Sequence, residues 1–436
     1  MTDYLKGLAS WLQLLFTVHA EQLAHATRFI QRQRKLNASA CAQTLVFRWM
    51  GDGKATLESM AEELELSPQA LQQHLGPKAQ AWLHALLVAA LRRALRAPRQ
   101  ALGLLDRFTA VLVEDTTGIA LPAELAEQFP GCGGGSGAGE GDAALKVRIC
   151  WDVRNGHVRE LSVHAGRTSD QTLASQAAAV PIGGLHLADQ GFFNTERWRA
   201  FSPRQFWISR VPAGTCVAVS GVWQSLTALL ATLEGDPWDG AVALLAQNPL
   251  SCRLVARRCP DEIAQRRRQK LREYTRSKKG REPSVVQLQA CDWVVFATNV
   301  PAEHLLAKEV WLVYRCRWQI ELLFKRAKSQ AGWRFSWGQR GVRVLVELYA
   351  KLLGLVVLHW GTLLAGGPLC GISCWKRLRV VQAFAERLLD SLCQGEQAVQ
   401  QVLAKRQRRL HHIRRQPKSR KKPSTRQLLF NPSLVP

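Results

Sequence analysis

The sequence predicts an α/β protein, a mixed-sheet core framed by helical N-terminal and C-terminal regions, and three observations carry that expectation. Strand-like segments at 108–115, 145–153 and 157–166 follow in meander order, the last two joined by Asn155-Gly156, a two-residue turn suited to a hairpin. A helical stretch beginning near Ser169 separates them from two further apolar strands, 184–189 and 205–211. Residues 1–104, by contrast, space leucine and alanine at helical intervals with few β-branched residues.

The elements follow in order. Within the N-terminal region, LESMAEELELSPQALQQHL (57–75) reads as two helices around a short turn, with Ser67 as cap and Pro68 at the first helical position. It fits a helix-turn-helix that recognises DNA and an ordinary αα-hairpin equally well. Residues 105–212 then carry the strands, interrupted by the Gly-rich stretch 131–141, which lacks phosphate-loop spacing. Residues 213–299 read as a β-rich insertion that interrupts the sheet, and 300–365 return to the core. A helical C-terminal region, 366–436, ends in the run KRQRRLHHIRRQPKSRKK (405–422), ten basic residues and no acid. Such a run is expected to be disordered and drawn to polyanions without regard to sequence.

Charge narrows the function. Lys and Arg number 59 against 34 Asp and Glu, a net charge of +25, which exceeds what solubility requires and points to a polyanion, nucleic acid first. Fifteen tryptophans and 47% hydrophobic content demand a large ordered core, unlike a histone-like or ribosomal protein. The 11 cysteines follow no frame, as expected of reduced thiols in the cytoplasm; Cys370, Cys374, His411 and His412 lack standard zinc-finger spacing. No signal peptide is evident. The apolar run 352–370 contains His359, Thr362 and Gly-Gly-Pro, so it reads as a buried helix and not a membrane span.

Chemistry concentrates in VYRCRWQIELLFKRAK (313–328). On a continuous helix at about 100° per residue, Tyr314, Arg317, Glu321 and Lys328 fall near 0°, 300°, 340° and 320°, one polar stripe about 60° wide. By itself the stripe also fits a solvated face with Glu321 paired to Arg317 and Lys325. Two other acids change the balance. Asp115 is expected to end the first strand and Asp189 the fourth, at the strand ends where α/β sheets place ligands. Three gathered carboxylates repel one another unless divalent cations neutralise them, and hard oxygen donors suit Mg²⁺ or Mn²⁺. Two such ions about 4 Å apart activate a water or a 3′-hydroxyl at a phosphodiester.

Tyr314-x2-Arg317-x3-Glu321-x6-Lys328 resembles the Y-x2-R-x3-E-x6-K signature of the insertion-sequence-four family of DDE transposases, and DTTG (115–118) and DQGFF (189–193) look like its aspartate boxes. ATN (297–299) and RWQIELLFK (317–325) are similar to the family as well. The resemblance covers about 108–330. It implies a ribonuclease-H-like core with a β-rich insertion, in keeping with the 132 residues between Asp189 and Glu321. It further implies that Asp115, Asp189 and Glu321 hold two metal ions, and that Tyr314, Arg317 and Lys328 contact phosphates of transposon-end DNA. The activity implied is cutting at the element's inverted repeats and joining of the 3′-hydroxyl ends to target DNA, by a homodimer holding two ends. Two rival functions remain: a structure-selective nuclease of the same fold, and an inactive end-binding regulator.

Neighbouring groups have plainer readings. Alternation along the strand turns Glu114 away from Asp115, into a structural role. Asp152 and Asp292 are decoys for the aspartate boxes, and Asp170 caps or begins a helix. Trp223 and Trp238 fit core packing, with base stacking as the alternative. The 253–281 segment, 12 basic residues against Asp261, Glu262 and Glu273, fits a DNA-backbone contact or a solvated helix.

Overall fold

A computed structural model describes the chain apart from residues 1–2, 33–34, 52–54, 94, 96–100, 134–140, 331–339, 368, 370–373, 414–422 and 435–436. Most of the Gly-rich stretch and the Cys370 and Cys374 side chains therefore lie outside the described residues. Ten strands alternate with helices: β1 (Val111–Ala120), β2 (Ala144–Asp152), β3 (His157–Ala165), β4 (Leu185–Ala188), β5 (Phe206–Arg210), β6 (Cys216–Val219), β7 (Val222–Ser225), β8 (Trp238–Leu244), β9 (Leu250–Arg258) and β10 (Trp293–Thr298). The chain divides into two compact units. One comprises Met1–Ala101, Asp115–Thr168 and Trp318–Lys421; the other comprises Leu102–Glu114, Ser169–Arg317 and Lys422–Pro436.

The first unit is mainly helical around a β2–β3 hairpin. These strands pair antiparallel from Leu145↔Ala165 to Asp152↔His157 across the Asn155-Gly156 turn, and β2 neighbours the later half of β1. The helix Gly341–Leu363 forms the centre. It is apolar on nearly every side and correspondingly buried along most of its length, packed against the helices Ala38–Gly51 and Pro77–Arg92. A buried ion pair, Glu347 with Lys351, spans a single turn, and the Lys351 ammonium lies 6.0 Å from the Trp49 ring centroid. No helix among the described residues is long and apolar enough to cross a membrane.

The 57–75 segment forms the helices Leu57–Glu63 and Pro68–His74, and Ser67 Oγ accepts the Ala70 N–H at 3.1 Å. The basic run does not begin beyond the fold. Residues 405–411 complete the helix Glu396–His411, whose Val399, Leu403, Arg406 and Leu410 keep an i, i+4, i+7, i+11 buried face. A count of charges hides that stripe. Arg406 is fully buried, its guanidinium 5.6 Å from the Phe384 ring centroid, and burial pushes its pKa down to about 9. A Cβ at Gly361 would come within 2.5 Å of Arg406 Nη1, so only glycine fits there.

The second unit is a mixed sheet. The first half of β1 and then β4 and β5 run parallel, with Val113↔Leu187 and Leu187↔Ile208 in register. Beyond them β10, β9, β8, β6 and β7 pair antiparallel. Residues 213–299 thus extend the sheet outward from β10 instead of interrupting it, because β10 is paired along both edges, to β5 and β9. The C-terminal helix Thr425–Phe430 packs here, with Leu428 and Leu429 buried. Gly103, at φ +62°, permits this approach: a Cβ there would sit 2.1 Å from the Leu429 carbonyl oxygen.

One titration follows from the first unit. His359 Nε2 donates to the Gly156 carbonyl at 2.6 Å, tying the central helix to the hairpin turn. Burial, aided by the positive Arg377 and His157, pushes its pKa from 6.5 down to about 4, against that hydrogen bond. The unfolded chain therefore takes up a proton that the folded chain refuses. Stability contributed by the neutral imidazole is complete above about pH 6.5 and should fall by about 3 kcal/mol as pH drops towards 4. Denaturant midpoints measured across that window should decline more steeply for the wild type than for His359→Gln.

Candidate active site

Asp189 directly follows β4 and caps the short turn Gln190–Phe192, its Oδ1 accepting the Gln190 N–H at 2.6 Å. Its other oxygen stands 3.8 Å from Arg317 Nη1. Tyr314 completes this group from below: its hydroxyl donates to the Ala188 carbonyl at 3.2 Å and its ring packs 4.6 Å from Phe296. Burial, and then the negative Asp189, raise the Tyr314 pKa above its ordinary value. The second unit thus brings together Asp189, Arg317 and Tyr314, residues 189 and 314–317 being remote in sequence. Tyr314 is 8% exposed, so its hydroxyl faces protein and not solvent.

The signature segment is not one continuous helix. Helix Ala307–Tyr314 gives way to a 3-10 turn, Arg315–Arg317, and a new helix runs Trp318–Gln330. A 3-10 turn advances about 120° per residue against about 100° for an α-helix, so the polar stripe is broken between Tyr314 and Glu321. The turn carries the fully buried Cys316 and follows Tyr314, whose hydroxyl is bonded to the Ala188 carbonyl.

Asp115 and Glu321 belong to the first unit. Asp115 lies midway along β1 and not at its end, because Thr116, Thr117 and Ile119 carry the extended pattern on to Ala120. Its Oδ1 accepts the Thr116 N–H at 2.8 Å, the same bond to the following residue that Asp189 makes. Glu321 is half-buried in the first turn of its helix and Lys328 half-buried in the last, with Ile320, Leu323, Phe324 and Ala327 buried on the other side. Among the described residues, no group of three or more His, Cys, Asp or Glu stands close enough to hold a metal ion. The donor set nonetheless fits Mg²⁺ or Mn²⁺: all three are carboxylates, and a backbone N–H fixes one oxygen of each aspartate.

A buried polar cluster surrounds Glu114, fully buried in β1. Its Oε1 accepts from the Ser175 N–H (2.8 Å) and Ser175 Oγ (3.0 Å); its Oε2 lies 3.0 Å from Arg197 Nη2 and 3.1 Å from His186 Nε2. Arg197 Nη2 is also 3.0 Å from His186 Nε2, which can serve only one of the two. Donation from both nitrogens to Glu114 satisfies the carboxylate best. The structural reading of Glu114 is what this cluster requires, but His186, Ser175 and Arg197 escaped sequence reasoning. The available signal was His186 itself, a polar residue in an otherwise apolar strand.

The other acids have local partners. Asp152 accepts from the N–H groups of Arg154 (3.2 Å) and Asn155 (3.1 Å) in the hairpin turn; Asp170 begins the helix Asp170–Leu173 behind its Ser169 cap; Asp292 pairs with Arg268. Trp238 is half-buried at the start of β8, whereas Trp223 lies exposed on the edge strand β7. His411 and His412 are exposed, and the described cysteines are free thiols.

Comparison with known proteins gives the family. The model of the transposase DDE domain matches residues 106–355, and the chain belongs to that family. It is a DNA transposase of the insertion-sequence-four type, an enzyme that cuts and joins DNA, in a family generally dependent on divalent metal. The transposase for insertion sequence element IS231C of Bacillus thuringiensis subsp. berliner is 23% identical over 77% of this chain and 75% of its own. That for IS231E of Bacillus thuringiensis subsp. finitimus is 22% identical over 90% and 87%. Among solved structures, the piggyBac transposase synaptic complex with hairpin DNA aligns over 95% of this chain and 87% of its own, at 8% identity and a TM-score of 0.46.

Replacing Arg197 with Met removes the guanidinium facing a buried carboxylate. Loss of one partner of a buried pair costs about 3–5 kcal/mol. Arg197→Met should therefore lower the unfolding midpoint substantially, whereas Arg199→Met, whose side chain faces the exposed Glu196, should change it little.

Proposed function

We propose that this transposase cuts at the ends of its insertion sequence and joins the freed 3′-hydroxyls to target DNA, with Asp115, Asp189 and Glu321 holding two Mg²⁺ or Mn²⁺ ions. The observation that carries this reading is the approach of Arg317 to Asp189 at 3.8 Å, which links the signature segment to an aspartate box 128 residues earlier. A ribonuclease-H-like core is supported by the antiparallel β2–β3 hairpin of the first unit and by the parallel pairing of β4 with residues 111–113 and with β5 in the second.

When bound, the metal ions supply activation of a water or 3′-hydroxyl and stabilisation of the leaving oxygen. The chain's own residues do the positioning. Arg317 offers a planar fork to the phosphate at the cleavage point while its neighbour Asp189 is engaged with metal. Lys328 adds a point charge to the same strand. Tyr314 acts from beneath, holding the end of β4 through the Ala188 carbonyl. The insertion 213–299 contributes the helix Asp261–Lys279, whose Arg266, Lys270 and Arg272 are exposed for backbone contact. A homodimer would hold two ends at once, as paired cutting requires.

Cleavage of a labelled duplex from the DNA flanking the gene, with Mg²⁺ or Mn²⁺ and then with excess chelator, tests this reading. Losing a partner outside the metal's own shell already costs about 10–100-fold in comparable sites. Asp115→Asn, Asp189→Asn and Glu321→Gln should each reduce cleavage by more than about a hundredfold while gel-shift affinity for the duplex persists. Undiminished cleavage in chelator, or by folded Glu321→Gln, contradicts the assignment.

A further inference from the structure

The N-terminal helices hold a cavity of about 850 Å³ beside the 57–75 helix pair. Arg28, Arg32, Lys35 and Lys78 stand around it, and Phe29 and Leu66 contribute apolar lining. No acidic residue lines it among the described residues, and the four cations are all exposed. Its floor is rigid: Phe29 is buried and stacks on Trp82 at 4.4 Å and 10°, and Trp82 Nε1 donates to the Ala20 carbonyl at 2.9 Å. Arg28 enters through a left-handed backbone, φ +58°, that ends the helix Ala20–Ala26, its N–H bonded to the His25 carbonyl at 3.0 Å.

The helix pair next to it has the opposite charge. Residues 57–75 contain Glu58, Glu62, Glu63 and Glu65 and no Lys or Arg; of the four, Glu63 is paired, with Arg48. Helix Pro68–His74, which would be the reading helix of a helix-turn-helix, has seven residues and offers Gln69, Gln72, Gln73 and His74 as its exposed side chains. The four glutamates repel phosphates, whereas the cations around the cavity attract them.

We infer that the N-terminal region grips DNA through the cavity bounded by Arg28, Arg32, Lys35 and Lys78, which take the phosphodiester backbone, with Leu66, Gln73 and His74 of the 57–75 helix pair as its wall and not as a base-reading helix. The apolar lining from Phe29 and Leu66 suits the deoxyribose faces between successive phosphates. Four exposed cations line a cavity of about 850 Å³, a number and a space that suit successive phosphates of an extended polyanion. The inference rests on the reading of the protein as acting on its flanking DNA, and it specifies where that DNA is held.

The test uses the full chain and a fluorescent duplex from the flanking DNA, with anisotropy titrations at several salt concentrations. The triple variant Arg32→Gln/Lys35→Gln/Lys78→Gln changes only exposed side chains, and circular dichroism checks its fold. The slope of log affinity against log salt should fall by close to three, at about 0.9 for each phosphate no longer neutralised, with affinity at least tenfold weaker at low salt. Glu58→Gln/Glu62→Gln should leave binding at or above wild type, and Gln69→Ala/Gln72→Ala should leave it unchanged. An unchanged slope and affinity in the triple variant overturn the inference, as does loss of binding confined to the Gln69/Gln72 variant. Metal-dependent cleavage of the same duplex separates the two levels. Wild-type cutting with an unchanged triple variant defeats the cavity alone, while wild-type protein that neither binds nor cuts the duplex defeats the proposed function as well.

Discussion

A fully buried carboxylate constrains the second unit more than any other group. Glu114 cannot stay ionised inside a sheet unless cations and donors replace the water it has lost, and Arg197, His186 and Ser175 are placed to do so. Satisfying it fixes β1 against β4, the helix Thr195–Arg199 against both, and the loop at Ser175 over the end of the cluster. Asp115 is the next residue along β1 after Glu114, and Asp189 comes three residues after His186.

The signature stretch was legible because its residue types are chemically unequal and its spacing is strict. Meander order and the Asn155-Gly156 turn likewise followed from periodicity and turn chemistry. What failed was local. Asp115 reads as the end of a strand, yet Thr116, Thr117 and Ile119 extend β1 to Ala120. The segment carrying Tyr314 and Glu321 reads as one helix because its apolar period runs through Cys316, yet a 3-10 turn at Arg315–Arg317 divides it. The basic run at 405–422 looked like a solvated tail, yet its first turns carry a buried face that includes Arg406. In the last of these a buried tertiary face overrode the local argument.

The net charge of +25 is unevenly deployed, and that distribution matters more than its sum. Arg197, Arg377 and Arg406 are buried, where they neutralise a carboxylate, meet helix-end carbonyls or stack on an aromatic ring. Arg266, Lys270 and Arg272 on one helix, and the rim of the N-terminal cavity, are exposed and suited to phosphates. Within the 57–75 helix pair the acids gather at 58–65, which makes that stretch poorly suited to approach a duplex. Composition identified the polyanion, and burial separates the arginines that meet it from those that hold the fold.

The central claim is that Asp115, Asp189 and Glu321 share metal when the protein holds DNA. Anomalous scattering from Mn²⁺ in crystals of the full chain bound to a duplex from its flanking DNA tests it most directly. The account predicts manganese peaks coordinated by carboxylate oxygens of all three residues, with Mn–O distances of roughly 2.0–2.3 Å as expected for a hard divalent ion. Manganese bound elsewhere, with any of the three carboxylates remote from it, would contradict the account.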